Sequence, residues 1–176
     1  MKLGYSSNAF VGMSLFNAIK QIAELGFGGI EIMADRPHLY PPDWNDEALQ
    51  YLKKKISNIG LHVTNINSFT LFAVGDTYLP SWIEPEQSQR DVRVAHTLQC
   101  LHLADQLGCA NISVPPGGPL PSGMSRKEAF QLFHAGLDQV IPLAEELGVK
   151  ILIEPEPDLL MENSQQIGRA SCRERV

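Results

Sequence analysis

Two rhythms of apolar and polar positions take turns along this chain. Four segments read as the end of a helix, a glycine and then a β-rich run: AELGFGGIEIM, SNIGLHVTNIN, DQLGCANISV and EELGVKILIEP. Their glycines, Gly26, Gly60, Gly108 and Gly148, lie 34, 48 and 40 residues apart, each where a helix takes a left-handed C-cap before the chain turns into a strand. With a further strand at Leu3 to Ser6, the predicted order is strand 2–6, helix 14–25, strand 29–33, helix 46–59, strand 61–68, helix 87–107, strand 110–114, helix 126–147 and strand 149–154. In the fourth helix Phe130, Phe133, Leu137, Val140, Ala144 and Leu147 share a face, Ser125 and Glu128 form a capping box, and Pro142 predicts a kink. In the second, Leu49, Leu52, Ile56 and Ile59 make the apolar stripe, Asn45 or Asp46 is the cap, and Lys53, Lys54 and Lys55 belong to a solvated edge.

Strict alternation of strands and helices implies a parallel sheet with right-handed crossovers, either a closed (β/α)8 barrel or an open doubly wound sheet. The glycine-rich stretches do not favour nucleotide binding. FGG at Phe27 to Gly29 precedes a strand, and PPGG at Pro115 to Gly118 has neither the dinucleotide spacing nor a P-loop lysine. The fold class expected is therefore α/β, a partial (β/α)8 TIM barrel with about five strands and four helices of eight units. At ~41 residues per unit a complete barrel needs roughly 300 residues, so the chain is expected to stop just after its fifth strand. An open barrel of this kind would expose a pairing edge and much of its inner wall, which predicts poor stability or homo-oligomerisation.

The last ten residues, Ile167 to Val176, read IGRASCRERV, which matches codon by codon the in-frame translation of a widely used sequencing adapter. The expected organisation is thus a barrel portion over 1–166 and a non-native tail over 167–176. The tail holds three positive charges and one negative, so the remainder carries −8 against −6 for the whole 176 residues. This acidic balance argues against a protein that grips a phosphate backbone, and nucleic acid is not expected as a partner. No run of about 18 apolar residues occurs, and MKLGYSSNAF lacks the basic and apolar regions of a secretory signal. No membrane association is expected, and the cytoplasm is the default. Cys100, Cys109 and Cys172 are odd in number with no CxxC spacing, which speaks against a disulfide framework or a thiolate zinc site.

In parallel α/β folds reactive groups gather at the C-terminal ends of strands. In Val149 to Pro157, alternation turns Ile151 and Ile153 toward the helices and Leu152 and Glu154 inward, leaving Glu154 at the mouth. A carboxylate there is costly unless paired, hydrogen-bonded or bound to a metal, so a ligand or acid/base role and a structural ion pair both stand open. Glu156 sits between two prolines on backbone leaving the strand. Glu31 is the inward acidic residue of the second strand, and Asp35, Arg36 and His38 follow it on a loop where a polyol could be hydrogen-bonded. His62 lies at the stability face, whereas His96, His102 and His134 fall within helices. The third strand ends in Asn67 and Ser68, and about 18 residues with Phe69, Phe72, Tyr78 and Trp82 pass before the next helix. Such a loop suits a lid over a small polar ligand, and equally an aromatic cluster that ties it down.

These residues resemble the xylose-isomerase-like TIM-barrel superfamily, specifically its sugar phosphate isomerase/epimerase group, over positions 1 to about 166. The resemblance rests on LGYSSNAF, ELGFGGIEIM, ADQLGCANISV and above all LGVKILIEPEP. It implies a metal-dependent isomerase or epimerase of a sugar or sugar phosphate, in which an acidic residue from the fifth strand joins an aspartate, a histidine and a glutamate from the sixth to eighth strands on one divalent cation. Here the fifth-strand residue is Glu154, which the resemblance makes both metal ligand and catalytic proton carrier. Glu31, His38, Asn67, Ser68 and Glu156 are the expected substrate contacts. Oxygen ligands suit Mg²⁺ or Mn²⁺, and the histidine admits Co²⁺ or Zn²⁺. With three ligands beyond the end, the 176-residue chain is expected neither to hold the cation tightly nor to turn over substrate. Alternatives on the same fold are an inosose dehydratase-like lyase, a sugar-binding barrel without turnover and an apurinic endonuclease.

Overall fold

The computed structural model describes residues 3–166. The expected tail, 167–176 with Cys172, lies outside the described residues. Five strands, β1 (Gly4–Ser6), β2 (Gly29–Met33), β3 (His62–Asn67), β4 (Asn111–Val114) and β5 (Lys150–Ile153), pair in parallel in sequence order. Four helices, α1 (Leu15–Glu24), α2 (Asp46–Ile59), α3 (Gln87–Leu107) and α4 (Arg126–Leu147), connect them, with single 3₁₀ turns at Ser7–Phe10 and Pro41–Asp43. Neighbouring order without a reversal is the winding of a (β/α)8 barrel, and the doubly wound alternative is set aside.

The caps place the helices where the sequence does. Ser14, Asn45 and Ser125 each accept from a first-turn amide, and Ser125 with Glu128 forms the full capping box. Gly60, Gly108 and Gly148 close their helices at φ of 85°, 72° and 65°. Strand ends differ slightly: β1, β3, β4 and β5 are each shorter than expected, while β2 keeps its bounds. Ile59 leaves the apolar stripe of α2 and is 44% exposed, while Lys53 donates to the Gln106 carbonyl at 2.7 Å.

The hydrophobic core lies between the helices and the outer face of the sheet. Ile30, Ile32, Ile66, Ile112 and Val114 meet Ile19, Ile22, Leu52, Leu101 and Phe133 there. Cys100 and Cys109 are buried and free, and burial pushes the Cys100 thiol up to about 12, as befits inert packing residues.

The inner face is polar. Between Ile30 and Glu31 the β2–β3 register slips by one, so that Ile30 opposes Val63 and Glu31 opposes Asn65. The surplus residue, Thr64, packs over Gly4 and Gly29; a Cβ on Gly29 would stand 2.6 Å from its Cγ2. Glycine in the FGG motif thus answers a close approach between strands, not a phosphate.

Candidate functional site

Glu31 is the centre of the inner wall. Ser6 on β1 donates to its Oε1 at 2.6 Å, Asn65 on β3 to its Oε2 at 2.7 Å, and Asn67 to its Oε1 at 3.3 Å. The Asn65 amide also reaches Ser113 on β4 at 2.9 Å, so four strands share one hydrogen-bonded network. Side chains that usually fill such barrels are branched and apolar; here hydroxyls, amides and a carboxylate take most of the wall, with Met33 and Leu152 in register beside Asn67 and Ser113. Asn65 Oδ1 is buried with no partner among the described residues.

Glu154 stands just beyond β5, its amide donating to the Val114 carbonyl at 3.1 Å. It lines a cleft of about 180 Å³ at the C-terminal ends of the strands. Asn8 from the turn after β1 and Asn67, Phe69 and Thr70 from the end of β3 form one side. Thr77 and Tyr78, from the segment between β3 and α3, and Glu156 complete it. No described residue donates a hydrogen bond or ion pair to the Glu154 carboxylate. Glu154 is exposed at the opening of the cleft, and the partial loss of water that the cleft imposes raises its pKa above the ordinary glutamate value, with the negative charges of Glu31 and Glu156 pushing in the same direction. Such a group is a stronger base than a free carboxylate, and a cation beside it would relieve the repulsion.

The expected contacts separate into two groups. Glu154, Glu156 and Asn67 meet in the cleft, with Glu31 behind them in contact with Asn67. His38 and Ser68 stand elsewhere. The buried His38 ring faces Ser7 Oγ at 3.1 Å and the Met13 carbonyl at 3.3 Å, and burial lowers its pKa. Ser68 is enclosed, its amide bonded to the Ser113 carbonyl and its own carbonyl taken by Arg93. Asp35 is fully buried and accepts from the Arg36 amide and from the Phe72 and Ala73 amides of the segment after β3, leaving no face for a polyol, and Arg36 pairs with Asp43 at 2.7 Å.

The loop aromatics divide likewise. Trp82 ties the segment down, lying edge-on to Phe133 and over Gly136 of α4. Phe69 and Tyr78, with ring centroids 6.2 Å apart, border the cleft. Asn8, Thr70 and Thr77 were not anticipated. Asn8 follows directly on a strand end, so the rule that found Glu154 could have found it; Thr77 carries no local signal.

Among the described residues no three histidine, cysteine, aspartate or glutamate side chains gather as a metal site. Glu154 is nevertheless suited to be one oxygen ligand, being ungrasped, open to the cleft and faced by like charge.

The chain belongs to the xylose isomerase-like TIM barrel family, whose model matches residues 19–173. No curated protein matches it. A D-psicose 3-epimerase crystallised in the presence of D-fructose is similar over 97% of this chain and 60% of that one, at 15% identity and a TM-score of 0.72. The IOLI protein with a binding zinc atom matches over 97% and 58%, at 16% identity and a TM-score of 0.74. An AP endonuclease, family 2, from Brucella melitensis matches over 97% and 65%, at 19% identity and a TM-score of 0.68. The chain therefore spans about three fifths of the length of these structures, and at such identity the likeness carries the fold alone. No helix among the described residues is long and apolar enough to cross a membrane.

Proposed function

We infer that the chain forms five strands and four helices of the eight βα units of a metal-dependent isomerase or epimerase of a sugar or sugar phosphate, with Glu154 as metal ligand and proton carrier. The observation that supports this reading is a carboxylate that no described residue pairs, at the strand ends in a cleft walled by amides, hydroxyls and the rings of Phe69 and Tyr78. The metal-bearing and sugar-converting neighbours of the same fold point the same way. A divalent cation, Mg²⁺, Mn²⁺, Co²⁺ or Zn²⁺, would polarise a sugar carbonyl and its neighbouring hydroxyl and so acidify the adjacent C–H. Glu154 takes that proton; Asn67 and Glu156 orient hydroxyls; Glu31, held by three donors, keeps Asn67 in place. Phe69 covers the apolar face of the sugar and excludes water. His38 and Ser68 have no direct part. The compartment that accompanies this reading is the cytoplasm, with a homo-oligomer as the assembly.

The test is deuterium uptake at the reacting carbon of a ketohexose in D₂O, by a protein extended downstream of Gln166 to the full eight units. The wild type should exchange the proton and E154Q should lose at least about a hundredfold in rate, the usual contribution of a positioned base. Undiminished exchange by E154Q would overturn the reading. The 176-residue chain alone should bind Mn²⁺ weakly, and tight stoichiometric binding in a titration would refute the assignment of the other ligands to strands six to eight.

A further inference from the structure

Outside the strands, α3 carries a buried cation. Arg93 on α3 is fully enclosed, with no carboxylate at ion-pair distance among the described residues. Its guanidinium serves one segment only. Nε donates to the Pro80 carbonyl at 2.9 Å, and Nη1 to the carbonyls of Ser68 at 3.1 Å and Phe69 at 3.0 Å. These bonds grip the β3–α3 segment on both sides of the stretch that carries Thr70, Thr77 and Tyr78 into the cleft. Between the two grips a second buried charge holds the middle: Asp35 Oδ2 accepts from the Phe72 amide at 2.5 Å and Oδ1 from the Ala73 amide at 3.0 Å. Asp76 closes the tip by accepting from the amides of Tyr78 and Leu79.

Neither Arg93 nor Asp35 bonds to a strand of the sheet. A pair of buried charges is a poor way to add stability, because the desolvation of each must be offset before any gain. What the arrangement does supply is a single loop geometry, since a planar guanidinium fixes the direction of each carbonyl it binds. We propose that Arg93 is a positioning residue for the cleft: by clasping the backbone at Ser68, Phe69 and Pro80, it sets Phe69 and Tyr78 against the opening above Glu154. Asp35 completes the clasp. This rests on the cleft being the ligand site, the reading proposed above.

The experiment compares R93Q and R93K with the wild-type chain by amide hydrogen exchange and by the nuclear Overhauser contact between the Phe69 and Tyr78 rings. In R93Q the Phe72 and Ala73 amides should exchange about tenfold faster or more, with β3 and β4 amides unchanged, because only a local opening is released. The ring contact should weaken in the same variant. R93K, which keeps the charge without the planar fork, should lie between the two. If loop and sheet amides accelerate together, or if neither moves, the proposal is overturned; should R93Q fail to fold, R93K decides on the same two readouts. E154Q should leave both untouched, so failure of the deuterium experiment would sink the sugar reading without disturbing the loop result, and the reverse.

Discussion

The two faces of the sheet are made from the same strands and follow opposite rules. On the outer face Ile30, Ile32, Ile66, Ile112 and Val114 are wholly buried against four helices. On the inner face the intervening positions include Ser6, Glu31, Asn65, Asn67 and Ser113, joined by hydrogen bonds, with Met33, in register with Asn67, and Leu152, 45% exposed, as apolar exceptions. Each fully buried aliphatic side chain contributes about 1.5–3 kcal/mol, so the outer layer carries the fold. The inner layer spends its positions on groups that can meet a polar ligand. Glu31 and Glu154 repeat the contrast within that layer, one carboxylate held by three donors and the other held by none of the described residues.

Substitutions can break or sharpen this division. The largest loss should come from the outer layer: Phe133→Ala, beneath Trp82, should cost about 3–5 kcal/mol in urea unfolding. Next is acid. His96 is buried, stacked on Tyr40, and burial followed by the charge of Arg93 holds its pKa down to about 3. The unfolded imidazole takes a proton near 6.5, so the unfolded state gains protons first as pH falls. Stability should then drop between 6.5 and about 3, by up to ~1.4 kcal/mol per pH unit. H96Q should flatten that slope in melts run from pH 7 to 4, and an unchanged slope would contradict it. Gly136→Ala places a Cβ 2.7 Å from Trp82 Cε3 and should cost about 1–3 kcal/mol by overpacking. Ser125→Ala removes the cap of α4, about 1 kcal/mol by thermal melting.

The smallest effect belongs to the inner face. Glu154→Gln should change stability by less than about 0.5 kcal/mol, the range of substitutions outside packed features. Its sign is informative. With a folded pKa above the unfolded one, the folded state binds the proton more tightly, so stability falls slightly as pH rises through that window and stays lower above it. E154Q should abolish this decline. A large loss at Glu154, comparable with that at Phe133, would erase the division between the faces.

Much of the architecture was legible because it is local. Helix caps, the repeated glycine and period-2 alternation act within a few residues, and they located each strand and helix. Glu154 and Glu31 were readable as inward for the same reason. The β3–α3 segment was not. Its shape is set by Asp35 and Arg93, which reach it from 37 residues before Phe72 and 13 residues beyond Pro80. Nothing in the local pattern distinguishes Arg93 from a solvated helix arginine, or Asp35 from a loop carboxylate above the mouth. The surroundings of His38 were illegible in the same way: its neighbours Ser7 and Met13 are brought to it by the fold alone.

Thr64 has a consequence for how this wall could arise. Strike it out, and His62, Val63, Asn65, Ile66 and Asn67 would still face the partners they face now, because the register slips at that one point. Threonine at 64 is therefore a shim, filling the hollow over two side-chain-free neighbours without altering which residues reach the cavity. A lineage could gain or lose it in a single event and keep its chemistry, giving up the tightness of the floor and the Asn111 side-chain donation to the Thr64 carbonyl at 3.2 Å.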